Sequence, residues 1–115
     1  MSTLERGLVN TLLAAVTSAQ ASAAFAVPLT RGDVGDFEQS FTWQLNLTGA
    51  PTASCQMQGS LDGTNWFNLG TALTASGLQT ISLTPVAFIR ANLTSFTGGT
   101  SPTATVLLII GSEHQ

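Results

Sequence analysis

Residues 52–69, which read TASCQMQGSLDGTNWFNL, decide the fold. The first half alternates polar and apolar side chains, and this period of two is typical of a half-buried β-strand. The apolar members are Ala53, Cys55 and Met57. The middle is turn chemistry, because aspartate can hydrogen-bond its own backbone and glycine reaches a positive φ without steric cost. The stretch therefore predicts a β-hairpin. Its structural residues are Asp62, Gly63, Asn65 and Trp66.

The rest of the chain repeats this pattern of short strands. Residues 40–48 alternate most clearly, with Phe41, Trp43, Leu45 and Leu47 on one face. Residues 78–83 and 86–94 are also predicted strands, and residues 103–111 are apolar on both faces. A strand of that last kind lies in the middle of a sandwich or under a partner. Seven or eight strands with frequent turn signals predict an all-β fold, a single β-sandwich domain over residues 1–115. A jelly roll and an immunoglobulin-like Greek key both fit.

Composition points to assembly with other protein. Charged residues make up 8% of the chain, against about 25% in an ordinary soluble domain. A surface this poor in solvating charge suits a component of a large assembly. The net charge is −3 and the cationic side chains are Arg6, Arg31 and Arg90. Three scattered arginines cannot supply clustered phosphate contacts, so we expect no nucleic-acid partner.

Other function classes are disfavoured by the residue inventory. One cysteine, Cys55, allows neither an internal disulfide nor a cysteine-rich metal site. The single histidine, His114, lies at the end of the chain and the carboxylates are sparse, so we predict no catalytic residues. The Asp62 turn has too few carboxylates for calcium, and we expect no metal or cofactor. No run of residues is long and apolar enough to span a membrane. Residues 1–26 lack the clean apolar centre of a secretory signal, which predicts synthesis in the cytoplasm.

Three segments together resemble small β-sandwich structural proteins of tailed bacteriophages, of the head-decoration or capsid-stabilising type. They are Gly59-Ser-Leu-Asp-Gly-Thr-Asn-Trp-Phe67, Val86-Ala-Phe-Ile-Arg-Ala-Asn-Leu-Thr94, and the apolar strand at residues 103–111. A Thr-Leu-Leu-Ala-Ala segment at residues 11–15 also matches. The resemblance implies a virion protein on the capsid exterior, made in a host bacterium. The implied partners are the major capsid protein and further copies of the chain, with a trimer as the natural guess.

The resemblance also bears on the N-terminal segment. Periodicity alone leaves residues 3–20 open between a helix and a strand. The likeness favours a strand over residues 9–17, preceded by an N-terminal arm at residues 1–8 that could reach a neighbouring subunit.

Two sets of residues distinguish the alternative functions from one another. Arg90 lies mid-strand on the same face as Phe88 and Asn92, which predicts either an intramolecular contact or an inter-subunit contact to a capsid carboxylate. Trp43 and Trp66 are predicted core anchors, since aromatic rings bury much area. If both indoles were instead exposed on one flat face, a carbohydrate-binding or adhesion module of a head or tail fibre would gain support. A tail or neck structural subunit is the third alternative.

Overall fold

The computed structural model of the chain describes residues 9–27, 39–82 and 86–112, and the predicted arm at residues 1–8 lies outside them. All regular structure in these ranges is β-strand. In chain order the strands are β1 (Val9–Val16), β2 (Gln20–Ala21), β3 (Phe25–Ala26), β4 (Gln39–Thr48), β5 (Thr52–Ser60), β6 (Phe67–Leu73), β7 (Gly77–Ser82), β8 (Phe88–Thr97) and β9 (Thr103–Ser112). Within the described ranges there is no helix of the length and apolarity needed to cross a membrane.

The strands form two antiparallel sheets, and this confirms the predicted β-sandwich. One sheet has the order β1-β9-β4-β7, and the other has the order β2-β8-β5-β6, with β3 also pairing to β8. Because β2 and β3 both pair with β8, they fill one strand position, which gives eight positions in all. Apart from the link between β2 and β3, which share one position, and the β5–β6 hairpin, each connection crosses from one sheet to the other. This alternation is the order of a jelly roll and not of an immunoglobulin-like domain.

The core lies between the inner faces of the two sheets, where the alternating residues of each strand meet. Phe41, Trp43 and Leu45 from β4 are fully buried against Cys55 and Met57 from β5. The polar residues between them point outward, as the period of two predicts. Burial raises the pKa of the Cys55 thiol to about 12, because the thiolate would lose its hydration.

Trp66 departs from the expectation of two core anchors. Trp43 is 0% exposed, whereas Trp66 is only half-buried and stacks against Arg90. The reason is its position: Trp66 ends the turn, one residue before β6 begins, so it does not follow the inward alternation of a strand.

The first and the last predicted strands are both formed. Residues 9–16 are strand β1, which pairs with β9 through two register shifts. Strand β9 lies between β1 and β4, in the interior of its sheet. Its inner face, with Val106 and Leu108, is buried, while Leu107 and Ile109 on its outer face are half-buried. The inner face of β9 is buried because it packs in the core between the two sheets, and the outer face points away from that core.

Candidate protein-docking site

The turn between β5 and β6 is fixed by a small polar network centred on Asp62. The Asp62 Oδ1 atom accepts hydrogen bonds from the backbone N–H groups of Thr64 and Asn65, each at 2.8 Å. The Asn65 amide donates to Asp62 Oδ2 at 2.8 Å. On the other side, Ser60 Oγ donates to Asp62 Oδ1 at 2.9 Å and accepts from the Gly63 N–H at 2.8 Å. Gly63 has a φ of 78°, which favours glycine. The network therefore links the residues of the turn to one another through five hydrogen bonds.

The same hydrogen bonds set the charge of the turn. The backbone N–H groups of Asn65 and Thr64, followed by the side chains of Asn65 and Ser60, hold the pKa of the Asp62 carboxyl well below its usual range. Each donor stabilises the ionised form and not the protonated one. Asp62 is therefore a carboxylate throughout the physiological range, and its oxygens are already engaged within the turn.

Arg90 lies on the outer face of the β2-β8-β5-β6 sheet, beside this turn. The centre of its guanidinium is 4.4 Å from the centroid of the Trp66 ring, in a cation–π contact. The Arg90 Nε donates to Gln58 Oε1 at 2.9 Å, and the Gln58 amide donates to Asn68 Oδ1 at 3.0 Å. These side chains form one row because Gln58 is paired with Arg90 on one side and with Asn68 on the other. We call Gln58, Trp66, Asn68 and Arg90 the Arg90 cluster.

The structure brings together two sets of residues that the sequence analysis treated separately: the hairpin residues and the outward residues of β8. Trp66, from the hairpin set, stacks on Arg90. A Cβ placed on Gly63 would lie 3.5 Å from the Phe88 ring, so the turn packs against that ring. Asn92 lies one row further along β8, opposite Gln56. The hairpin and the outer face of β8 therefore make one continuous surface.

The guanidinium of Arg90 is held by neutral groups. Asp62 is the one acidic residue within the described ranges, and it is bonded to its own turn. No ion pair joins Arg90 to a carboxylate in the described part of the chain, where Gln58 is its hydrogen-bond partner. Its Nε donates to Gln58, and one face of the guanidinium packs against the Trp66 ring. These two contacts fix the plane of the guanidinium, and a guanidinium can receive a carboxylate with two parallel hydrogen bonds.

An apolar cavity of about 480 Å³ opens on the other side of the turn. Its apolar walls are Leu61, Phe67, Leu69 and Val86. Leu61 is 76% exposed and Phe67 is 69% exposed, so large apolar surface faces the solvent here. Sequence reasoning placed Phe67 in a strand but did not find this cavity, which we call the end pocket. One signal was available: Gly59 lies within β5 without a side chain, and a Cβ there would come within 2.9 Å of Leu69 and Val86.

The side chains of this surface are of kinds that can contact another molecule. Within the described ranges, no three side chains of the types His, Cys, Asp or Glu are grouped so that they could hold a metal ion. What the surface does offer is an oriented cation on an aromatic ring, two amide side chains, and an apolar pocket behind a rigid turn. Tryptophan and arginine are the residues most enriched among the side chains that dominate protein–protein binding.

Comparisons with known proteins give likenesses of fold. No protein-family model matches the chain, and no curated protein matches its sequence. The SPBc2 prophage-derived protein YomS aligns with a TM-score of 0.62 and 12% identity, over 90% of this chain and 92% of that one. The PBSX exported protein XepA aligns with a TM-score of 0.58 and 11% identity, over 95% of this chain and 38% of that one. At such identities the likeness shows the fold alone: the whole sandwich is similar to YomS and to one part of XepA.

Proposed function

We propose that the protein is a non-enzymatic structural component of a phage particle that decorates an assembled capsid and stabilises it through subunit contacts. The observation that carries the proposal is the Arg90 cluster beside the end pocket: a cation fixed between Trp66 and Gln58 and paired with no carboxylate of the described residues. The capsid partner supplies an acidic side chain to the Nη donors of Arg90 and an apolar side chain to the pocket.

A contact of this kind is stronger when the side chains of the receiving surface are already held in place. Binding costs less when the side chains involved have few rotamers left to lose. Arg90 is half-buried and held at two points, and the neighbouring turn is closed by the hydrogen bonds of Asp62. A partner that fits this surface only when capsid subunits are assembled shifts the equilibrium toward the shell by mass action.

The fold likenesses support the phage setting. One similar protein is described as prophage-derived and the other as an exported protein of PBSX. A jelly roll occurs in viral capsid proteins and in lectins, so the fold by itself favours no single function. The choice of a protein partner over a sugar therefore depends on the surface.

The carbohydrate-binding alternative required two exposed indoles on one flat face. Trp43 is 0% exposed and hydrogen-bonded in the core, and one face of Trp66 is taken by Arg90. The surface therefore lacks the double aromatic platform that this alternative predicted. A tail or neck subunit would use the same contact chemistry as a decoration protein, and only the identity of the bound partner separates the two.

The test is co-sedimentation with capsids of a phage that encodes the chain. The capsids are purified from a mutant phage in which the gene for the chain is deleted. We expect the wild-type protein to sediment with assembled capsids and not with unassembled capsid protein. Arg90→Ala and Phe67→Ala should each weaken binding about tenfold or more, as truncation of a dominant interface residue does. Arg90→Lys should recover only part of the affinity, because lysine keeps the charge but loses the planar fork.

The matched control is Thr97→Ala, which alters an exposed residue at the far end of the same strand. It should bind like wild type. Circular dichroism and a melting curve establish that each variant is folded. Equal binding by folded Arg90→Ala and wild-type protein would refute the proposed contact, and binding only to tails or necks would move the function to the tail or neck alternative.

A further inference from the structure

The outer face of the four-stranded sheet carries apolar side chains on three of its strands. Leu107 and Ile109 of β9 point outward and are half-buried. Beside them, Val9 of β1 is 60% exposed and Leu78 of β7 is 66% exposed. We call this surface the β9 face. It belongs to the sheet opposite the Arg90 cluster.

The strand register arranges these residues in two rows across the sheet. Val9 and Thr42 lie on either side of Ile109, and Thr42 is followed by Thr80. The second row contains Thr11, Leu107, Gln44 and Leu78. Residues that are directly paired in an antiparallel sheet point to the same side, so each row is a continuous strip of surface.

The polar members of the β9 face carry no charge. Among the described residues the outward positions are threonine, glutamine, asparagine and serine wherever they are not apolar. Some of the hydroxyls already satisfy each other: Thr42 and Thr80 are hydrogen-bonded at 3.0 Å, and Thr48 is bonded to Thr103. These hydroxyls therefore lose little hydration when the face is covered, because they already bond each other. Covering the face also brings no like charges together.

We propose that the β9 face packs against the same face of a second copy of the chain, around a two-fold axis. An uncharged face is complementary to itself, and a closed two-fold pair uses one patch twice. Face-to-face packing of sheets at about 10 Å is also a common arrangement for extended strands.

The size of the face reaches the range of a specific interface. Four strands about 4.8 Å apart and about eight residues long at about 3.4 Å per residue cover roughly 500 Å². Two copies then bury roughly 1,000 Å² before the relief of the side chains is counted, which reaches the lower limit of a specific interface. This pairing does not depend on the proposed function, since it leaves the Arg90 cluster of both copies on the outside. It differs from the trimer that the bacteriophage resemblance implies.

The experiment is sedimentation-equilibrium analysis of the full chain over a range of concentrations. We expect a reversible monomer–dimer equilibrium. The double variant Leu107→Thr/Ile109→Thr should raise the dimer dissociation constant at least about tenfold. Threonine is already common on this face and favours strands, so the fold should persist. Gln44→Lys should have a similar effect, because the interface would bury a charge for which this uncharged face offers no partner.

The controls place equivalent changes on the other sheet. Phe67→Thr removes an exposed apolar side chain, and Thr97→Lys adds a charge at an exposed threonine. Both should leave the dimer dissociation constant unchanged. The proposal is overturned if the wild-type protein stays monomeric up to its solubility limit, if it forms a trimer, or if the β9-face variants associate as strongly as the controls.

Discussion

Replacing Gln79 should destabilise the sandwich because this side chain ties its two sheets together. Gln79 Oε1 accepts a hydrogen bond from Trp43 Nε1 at 3.2 Å. Its amide donates to Thr71 Oγ1 at 2.8 Å and to the Thr71 carbonyl at 3.0 Å. Trp43 and Gln79 are paired between β4 and β7, while Thr71 belongs to β6 in the other sheet. Gln79→Met keeps the length of the side chain and removes all three hydrogen bonds.

The cost comes mainly from Trp43. Its indole is 0% exposed, so without Gln79 its N–H has no acceptor in the core. An unpaired buried donor costs about 1–3 kcal/mol. The bonds to Thr71 are exposed, so water can replace them at little cost. We therefore expect a loss of about 2 kcal/mol in the free energy of unfolding. For a domain of this size that lowers Tm by about 8 °C.

A double-mutant cycle measured by urea unfolding isolates this interaction. In a Trp43→Phe background the donor is absent, and Gln79→Met should then cost only about 0.5 kcal/mol. The coupling between the two sites is therefore about 1.5 kcal/mol. Gln20→Met, at an exposed position, is the matched control and should change stability by less than about 0.5 kcal/mol. Additive effects of the two core substitutions would refute this reasoning.

Three further predictions concern the backbone, the turn and the core thiol. Gly70→Ala should cost about 2–4 kcal/mol, because Gly70 has a φ of 69° and the new Cβ would displace Gln79 Oε1. Gly98→Ala, with a φ of 76° and open space around it, should cost only about 1 kcal/mol, and equal urea-unfolding losses would contradict the displacement. The Asp62 pKa is lowered in the folded state, so its stabilising contribution is complete above the ordinary aspartate pKa of about 3.9 and is lost as pH falls below it. In acid titrations followed by circular dichroism, the stability difference between wild type and Asp62→Asn should narrow below that pH, and a constant difference would exclude this linkage. Because burial raises the pKa of Cys55 to about 12, a thiol reagent at pH 8 should label the protein only as fast as it unfolds, and rapid labelling of native protein would contradict the buried position.

Strand alternation in the sequence was enough to predict much of the core. Phe41, Trp43 and Leu45 on β4, and Cys55 and Met57 on β5, are buried as their period of two indicates. The turn at Asp62 and Gly63 was also readable, because its chemistry is local. Sequence patterns were informative wherever a residue's environment depends mainly on its own strand.

What the sequence could not supply depends on contacts between distant strands. The jelly-roll order follows from pairings such as β4 with β9 and β5 with β8, which leave no local signature. The two-residue strands β2 and β3 are too short to show a period. Trp66 was expected in the core because it is large and apolar, but its place at the end of the turn directs it toward Arg90. The end pocket was missed because Val86, which is distant in sequence, completes the walls formed by residues 59–69.

The role of the Arg90 cluster can be tested by electron cryomicroscopy of capsids with and without the bound protein. We predict that the difference density places the turn at Asp62 and the side chain of Arg90 against the shell, with an acidic capsid residue at the guanidinium. A bound protein that turns the Arg90 cluster toward solvent, or capsids that carry no additional density, would contradict the proposed contact.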